Sequence, residues 1–360
     1  MSKPPAPASL LSRIFPKLLI SLVLGGLFIW IYRAGGVPLL PSREQLAAVQ
    51  WWAVPAYLGL LSLTHFLRAS RWRFLIRPVK EIPLREVIAL NWIGFFTIFA
   101  LPLRIGEVTR PALTKIRHQI PISVGFGTIA VERVVDGLLT SFCVAWALFA
   151  LPRLEVDDPL VRSLPVYGYA TLAVFGGAFL ALGAFLWQRR LAIALTERLV
   201  GLVSPRLATF IAEKVDGVAE GIRSLADVKL TGLFLLETLA YWATNALGMW
   251  VLAIGCGLPI GPGHAVAIMG ILAIGILLPA GPGLFGNFQL AISKGLAMYL
   301  AHELVAGPGA VYVFLLYSIQ TVFIVLCGVV PLLGMKVTMG DLLGQGLMSG
   351  PARAADPSGE

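Results

Sequence analysis

Nine long apolar runs, separated by short clusters of charge, divide the chain. They are Leu18–Tyr32, Trp51–Leu67, Val87–Leu103, Val124–Leu151, Leu164–Trp187, Leu230–Cys256, Ala265–Leu278, Leu284–Leu300 and Val305–Leu333. About 20 apolar residues cross the ~30 Å hydrocarbon core of a bilayer. Only 13% of the 360 residues are charged, against roughly 25% in a soluble domain. So few charges cannot cover a soluble surface, and the sequence therefore predicts a polytopic membrane protein.

The positions of the basic residues constrain how the runs cross the membrane. A dense basic patch follows the second run and consists of Arg68, Arg71, Arg73, Arg77, Lys80 and Arg85. Basic residues also follow Val87–Leu103, from Arg104 to Arg117. Because basic loops concentrate on the cytoplasmic side, we expect Val87–Leu103 and the polar stretch after it to dip into the bilayer and return to the cytoplasm.

A second re-entrant hairpin is predicted in the other half of the chain. Ala265–Leu278 and Leu284–Leu300 are separated by the helix-breaking turn Pro279-Ala280-Gly281-Pro282-Gly283. The predicted fold is all-α, a polytopic transmembrane helix bundle of about six full spans plus two re-entrant hairpins in an inverted repeat. Eight or nine full spans are the alternative. Inverted repeats with interrupted helices are typical of alternating-access transporters.

We expect one membrane domain over residues 18–335, between a disordered cytoplasmic segment 1–17 and a disordered tail 336–360. Residues 189–229 form the predicted interfacial connection, because apolar residues recur three or four positions apart from Leu207 to Leu225. Leu18–Tyr32 is interpreted as a retained helix, since no A-x-A cleavage site follows it. A cleaved signal peptide is the alternative.

The most informative stretch carries charges inside apolar sequence. Its charged and glycine residues are Arg104, Gly106, Glu107, Arg110, Glu132, Arg133 and Asp136. An isolated charge at the bilayer centre costs about 2.5–3.5 kcal/mol on insertion scales, so these side chains must pair or face water. We expect the two segments to touch and form a polar cluster that could hold a lipid phosphate. A structural ion-pair lock, or a position at the membrane surface, are the alternatives.

The paired motif Arg104-x-Gly106-Glu107-x-x-Arg110 and Glu132-Arg133-x-x-Asp136-Gly137 resembles the lysylphosphatidylglycerol synthase transmembrane-region family of flippase-like proteins. The resemblance covers roughly residues 15–335. It implies movement or presentation of a lipid with a polar headgroup. We expect the protein in the bacterial cytoplasmic membrane, and the positions of the basic residues predict both termini in the cytoplasm.

Two features depart from the family pattern. The second hairpin contains Pro279, Gly281, Pro282, Gly283, Gly286 and Gln289, with Gln289 where the family usually has a glutamate. A neutral amide cannot pair with a cationic headgroup, which weakens a lysyl-lipid assignment. Only about 25 residues follow position 335, too few for a catalytic fold, so we expect no aminoacyl-transferase domain.

Further candidates are Glu237 and Asn245, near the start of a predicted span, which could contact the charged cluster or reach the interface. No spacing indicates a metal site, a nucleophilic triad or a nucleotide-binding loop, and we expect no cofactor. The predicted function is transport of a lipid or lipid-linked headgroup, with membrane lipids as partners. The alternatives are a membrane-embedded lipid-modifying enzyme and a non-catalytic partner of a separate lipid- or glycan-modifying enzyme.

Overall fold

The computed structural model describes residues 10–34, 36–101, 106–155, 157–188, 217–278, 281–335 and 337. All regular structure in these residues is helical, which confirms the all-α prediction. The first half contains α1 (Leu10–Ala34), α2 (Arg43–Ala47), α3 (Ala53–Ser70), α4 (Trp72–Ile76), α5 (Leu84–Ala100), α6 (Thr109–His118), α7 (Ile122–Ala150) and α8 (Pro159–Trp187). The second half contains α9 (Val228–Gly255), α10 (Pro262–Gly275), α11 (Asn287–Ala297), α12 (His302–Ala306) and α13 (Pro308–Gly334).

The outer surface of the bundle is apolar. Phe149, Leu180 and Leu333 are 91%, 72% and 73% exposed, far more apolar exposure than a soluble monomer tolerates. In the described part of the chain, three stretches are long and apolar enough to cross a membrane, namely Ile122–Ala150, Pro159–Phe185 and His302–Gly334. The fold is a polytopic transmembrane helix bundle.

The first interrupted segment is α5 followed by α6. α5 ends at Ala100, because Pro102 pushes Leu101 into an extended conformation (φ −89°, ψ 143°). α6 has only 10 residues, about 15 Å of helix, which is half the thickness of the hydrocarbon core. Gly106 lies against the α5 backbone, where an added Cβ would come 2.2 Å from the Thr97 carbonyl carbon. The chain therefore folds back tightly on α5, as the predicted hairpin requires.

The second interrupted segment is α10 followed by α11, which have 14 and 11 residues. The turn between them uses left-handed backbone at Gly283 (φ +70°) and Gly286 (φ +95°), a conformation that glycine adopts at little cost. An added Cβ at Gly286 would lie 2.7 Å from Phe28 Cβ on α1, and one at Gly283 would lie 3.3 Å from the Phe99 ring on α5. The ends of the two interrupted segments therefore meet inside the bundle.

The packing of the helices repeats between the two halves. α5 packs on α13, and its counterpart α10 packs on α7, while α3 and α9 form an extensive contact between the halves. Each interrupted segment thus rests on the long helix of the other half. Two interlocked halves related as an inverted repeat produce this reciprocal packing.

The connection before α9 is described only from residue 217. Residues 217–222 are helical, and Ala219 and Ile222 are 2% and 1% exposed. The close approach of Gly221 to the Val124 carbonyl shows that this part packs against α7. The rest of the predicted 189–229 connection, and the predicted disordered tail beyond residue 337, lie outside the described residues.

Candidate functional site

Arg71 is the most deeply buried charge in the described residues and lies between α3 and α4. Its Nη1 and Nη2 atoms donate to Asp136 Oδ1 and Oδ2 at 2.7 and 2.6 Å. Nη1 also donates to Thr238 Oγ1 (2.9 Å), and Trp242 Nε1 donates to Asp136 Oδ1 (3.1 Å). This bidentate ion pair is 2% exposed on the arginine side. It joins the α3–α4 junction to α7 and α9.

A second buried pair joins the first hairpin to α7. Arg110 on α6 donates to Glu132 on α7, and its other terminal nitrogen donates to Asn91 Oδ1 on α5 at 2.5 Å. The guanidinium lies over the Trp72 ring, 5.1 Å from its centroid. The expected contact between the hairpin and the α7 helix is therefore present. Like the first pair, this one compensates both charges inside the bundle.

A narrow cleft lies beside the Arg110–Glu132 pair. It is lined by residues of α5, the hairpin and α7: Asn91, Gly94, Phe95, Ile98, Gly106, Glu107, Arg110, Ile129 and Arg133. Arg133 and Glu107 are each about one-third exposed, and the shortest distance from Arg133 Nε to Glu107 Oε1 is 3.9 Å. The cleft volume is about 10 Å³, roughly the space that one water molecule needs. The cleft is closed to a lipid headgroup in this conformation.

A third group of charges lies next to the Arg71–Asp136 pair. Glu237 on α9 accepts from Arg73 Nη2 at 2.5 Å and from Ser70 Oγ at 2.7 Å. Arg73 is 35% exposed, so this pair lies nearer to solvent than the other two. Glu237 thus joins the α3–α4 junction rather than the Arg110–Glu132 pair. Asn245 lies two turns further along α9, half-buried.

The second hairpin offers neutral polar groups. Gln289 is buried, and its Oε1 accepts from the Gly286 backbone N–H at 2.8 Å, which caps α11. Tyr317 donates from its hydroxyl to the Gly283 carbonyl (3.0 Å) and so holds the turn against α13. Gly281 approaches α1 closely, since a Cβ added at Gly25 would lie 3.2 Å from its Cα. Pro282 begins the short helical turn that leads to Gly283. The amide of Gln289 therefore has a structural task.

Most of the sequence-predicted residues meet at one place. Gly106, Glu107, Arg110, Glu132, Arg133 and Asp136 all lie at or beside the junction of hairpin and α7, whereas Arg104 and Pro279 lie outside the described residues. Sequence reasoning missed Arg71, which it assigned to a basic loop patch. The signal that could have identified it is Asp136, a buried acid that needs a cation. Asn91 and Trp72 were also missed.

Within the described residues, no group of three or more histidine, cysteine or acidic side chains could hold a metal ion. Cys143, Cys256 and Cys327 are free. The site consists of arginines paired with carboxylates. Its chemistry is reversible ion pairing and hydrogen bonding, which suits recognition of a charged headgroup or gating of a path.

Comparison with known proteins agrees with this architecture. The family model described as lysylphosphatidylglycerol synthase TM region matches residues 16–328, a range that contains both hairpins and every ion pair of the site. No curated protein and no solved structure is significantly similar to the chain. The helical bundle, its apolar surface and this match together make the chain an integral membrane protein associated with lipid handling. It belongs to the lysylphosphatidylglycerol synthase transmembrane-region family.

Proposed function

We propose that the protein moves a lipid with a polar headgroup from one leaflet of the membrane to the other, without covalent chemistry on the lipid. The observation that carries this proposal is the paired-charge cluster at the junction of the first hairpin and α7. Buried ionisable groups in membrane proteins commonly mark substrate paths. Interrupted helices in corresponding positions of two repeats commonly mark the binding site of a transporter.

The arrangement of the ion pairs supports a gating role for the hairpin. Arg110–Glu132 and Arg133–Glu107 both connect the hairpin to α7, and the cleft between them holds about 10 Å³. A headgroup can enter only if the hairpin moves away from α7. We assign Glu107, Arg110, Glu132 and Arg133 to this gate, together with Arg104 and Gly106. The bidentate pair of Arg71 and Asp136 anchors α7 during the movement.

The second hairpin supplies the opposing element. Its glycines allow the turn at Gly283 and Gly286, and the Phe99 ring lies beside Gly283. Movement of either hairpin would therefore displace the other through this contact. Because basic segments concentrate on the cytoplasmic side, we propose that the α3–α4 end of the bundle and both termini face the cytoplasm, with the protein in a bacterial cytoplasmic membrane.

A leaflet-resolved assay in vesicles tests the function. The full chain is reconstituted into vesicles that carry a fluorescent lipid, and a membrane-impermeant reductant reports the fraction of label in the outer leaflet over time. We expect exchange between leaflets in vesicles with protein and none in empty vesicles, with the lipid recovered unchanged. A chemically altered lipid would instead support the enzyme alternative. Absence of both exchange and alteration, with correct insertion, would contradict the proposal and favour the partner alternative.

A further inference from the structure

The charged cluster around the cleft contains one more cation than anion among the described residues. Its members are the guanidinium groups of Arg68, Arg71, Arg110 and Arg133 and the carboxylates of Glu107, Glu132 and Asp136. Arg71 pairs with Asp136, Arg110 pairs with Glu132, and Arg133 lies opposite Glu107. Four cations against three anions leave Arg68 as the surplus charge.

Arg68 is half-buried on the last turn of α3. No carboxylate of the described residues lies within ion-pair distance of it, and its guanidinium carbon lies 4.2 Å from the Phe95 ring centroid instead. Arg71, Arg133 and Asp136 are near enough to act on it electrostatically. Asp136 is already bonded to Arg71 through both carboxylate oxygens. The cations around Arg68 therefore outnumber the carboxylate near it, and a further anion there would be favourable.

Arg133 has unused bonding capacity at the same place. Its Nε atom is buried without a hydrogen-bond partner, and Glu107 is 3.9 Å away, beyond hydrogen-bond distance. Phe95 lines the cleft together with Arg133 and carries Arg68 on its ring. Arg133 therefore lines the cleft, and Arg68 lies against the Phe95 ring that forms part of its wall. Both guanidinium groups have N–H groups to offer an anion that enters there.

We propose that Arg68 and Arg133 together bind the phosphate of a lipid headgroup with net negative charge when the cleft opens. A guanidinium forms paired hydrogen bonds to phosphate oxygens, and one phosphodiester charge would balance the surplus cation counted among the described residues. This inference rests on the proposed function, and it assigns that function an anionic lipid. Gln289 is neutral and its side chain caps α11, so this position offers no carboxylate to a cationic headgroup.

Binding to the purified full chain in detergent tests the assignment. The ligands are short-chain phosphatidylglycerol, diacylglycerol with the same chains, and inorganic phosphate, and the readout is the ligand-dependent rise of the unfolding temperature. We expect phosphatidylglycerol to bind at least about tenfold more tightly than diacylglycerol, because only it carries the charged phosphate. Equal affinities in the unmodified protein would overturn the proposal. Inorganic phosphate that binds as tightly as the phospholipid would overturn the lipid assignment.

Substitutions localise the effect. We expect Arg68→Gln to weaken phosphatidylglycerol binding by about tenfold and to leave diacylglycerol binding unchanged. Arg68→Lys should bind phosphatidylglycerol with intermediate affinity, because lysine keeps the charge but lacks the paired N–H donors of a guanidinium. The matched control is Arg77→Gln, since Arg77 is an exposed arginine paired with Glu81 on the same side of the bundle. Unchanged binding by a folded Arg68→Gln protein would contradict the assignment.

The outcome separates this inference from the proposed function. Selective binding without exchange between leaflets would leave the site intact and reject transport. Exchange that persists with no preference for the anionic lipid would support transport and reject the site.

Discussion

Arg71 carries the strongest prediction at the scale of single residues. It is 2% exposed and bonded through both terminal nitrogens to Asp136. Removal of one partner leaves the other charge buried and uncompensated, which costs about 3–5 kcal/mol. We expect Arg71→Gln to lower the free energy of unfolding by about that amount, and Arg71→Gln/Asp136→Asn to recover part of it. Titration with a denaturing detergent, followed by circular dichroism, measures the change.

Arg73→Gln is the matched control for this prediction. Arg73 also pairs with an acid, Glu237, but it is 35% exposed, and pairs near solvent contribute about 1 kcal/mol or less. Equal losses for Arg71→Gln and Arg73→Gln would show that burial does not decide the strength of these pairs.

Sequence reasoning located the carboxylate side of this network better than the cation side. Glu132 and Asp136 stand out because they interrupt an apolar helix. Contact of both with the hairpin was predicted, but only Glu132 pairs with it, through Arg110, whereas Asp136 pairs with Arg71. Arg71 lies among six basic residues, a pattern that is typical of a cytoplasmic loop. Only the three-dimensional packing of α4 against α7 and α9 shows that Arg71 is fully buried.

At the scale of elements, the first hairpin depends on the absence of a side chain at Gly106. A Cβ there would lie 2.2 to 2.4 Å from the Thr97 and Ile98 backbone, and backbone cannot move aside as a flexible side chain can. We expect Gly106→Ala to displace the hairpin from α5 and to destabilise the protein by about 1–3 kcal/mol. The unfolding temperature in detergent reports this change. Gly26→Ala is the control, because nothing lies within 4 Å of the added carbon. A Gly106→Ala protein as stable as the control would contradict the tight return of the chain.

The second hairpin is held at its far end by an ion pair. Lys294 on α11 donates to Asp158 Oδ2 at 2.5 Å, and Asp158 also caps α8. Burial opposes ionisation of Asp158, but the hydrogen bond and charge of Lys294 outweigh it and hold the pKa of the carboxyl below its ordinary value of 3.8. The stabilisation is therefore complete above that value and is lost as the pH falls through the lowered pKa.

We expect Asp158→Asn to lower stability at pH 7 by about 1 kcal/mol or less, because asparagine keeps the cap but loses the charge. The difference from the unmodified protein should shrink below the ordinary pKa of 3.8. Unfolding temperatures at pH 7 and at acidic pH measure both effects. Asp157→Asn serves as control, since Asp157 is 94% exposed. A difference that grows on acidification would contradict the assigned charge state.

The interruption of both hairpins could be predicted because proline and glycine act locally, at Leu101-Pro102 and at Gly281–Gly286. The partners against which the hairpins pack could not be predicted from the sequence. The contact of Gly283 with Phe99, and of Gly286 with α1, joins residues more than 180 positions apart. Periodicity and charge carry no information about such pairings, since they describe each segment alone.

At the scale of the whole molecule, the sidedness of scarce charges was enough to predict two inverted halves. The structure adds how the halves interlock, with α5 on α13 and α10 on α7. Because each interrupted segment rests on the other half, displacement of one hairpin changes the support of the other. Such an arrangement supports the proposed alternating exposure of one cleft to the two sides of the membrane.

The most direct test of the gate is lipid exchange between leaflets in vesicles that contain Arg133→Gln protein. Arg133 is about one-third exposed, lines the cleft and faces Glu107 at 3.9 Å, so its loss should alter the gate without unfolding the bundle. Arg77→Gln, at an exposed ion pair away from the cleft, is the matched control. We expect Arg133→Gln to slow exchange by about tenfold or more and Arg77→Gln to leave it unchanged. Equal exchange rates for the two variants at equal insertion would contradict the assignment of the cleft as the lipid path.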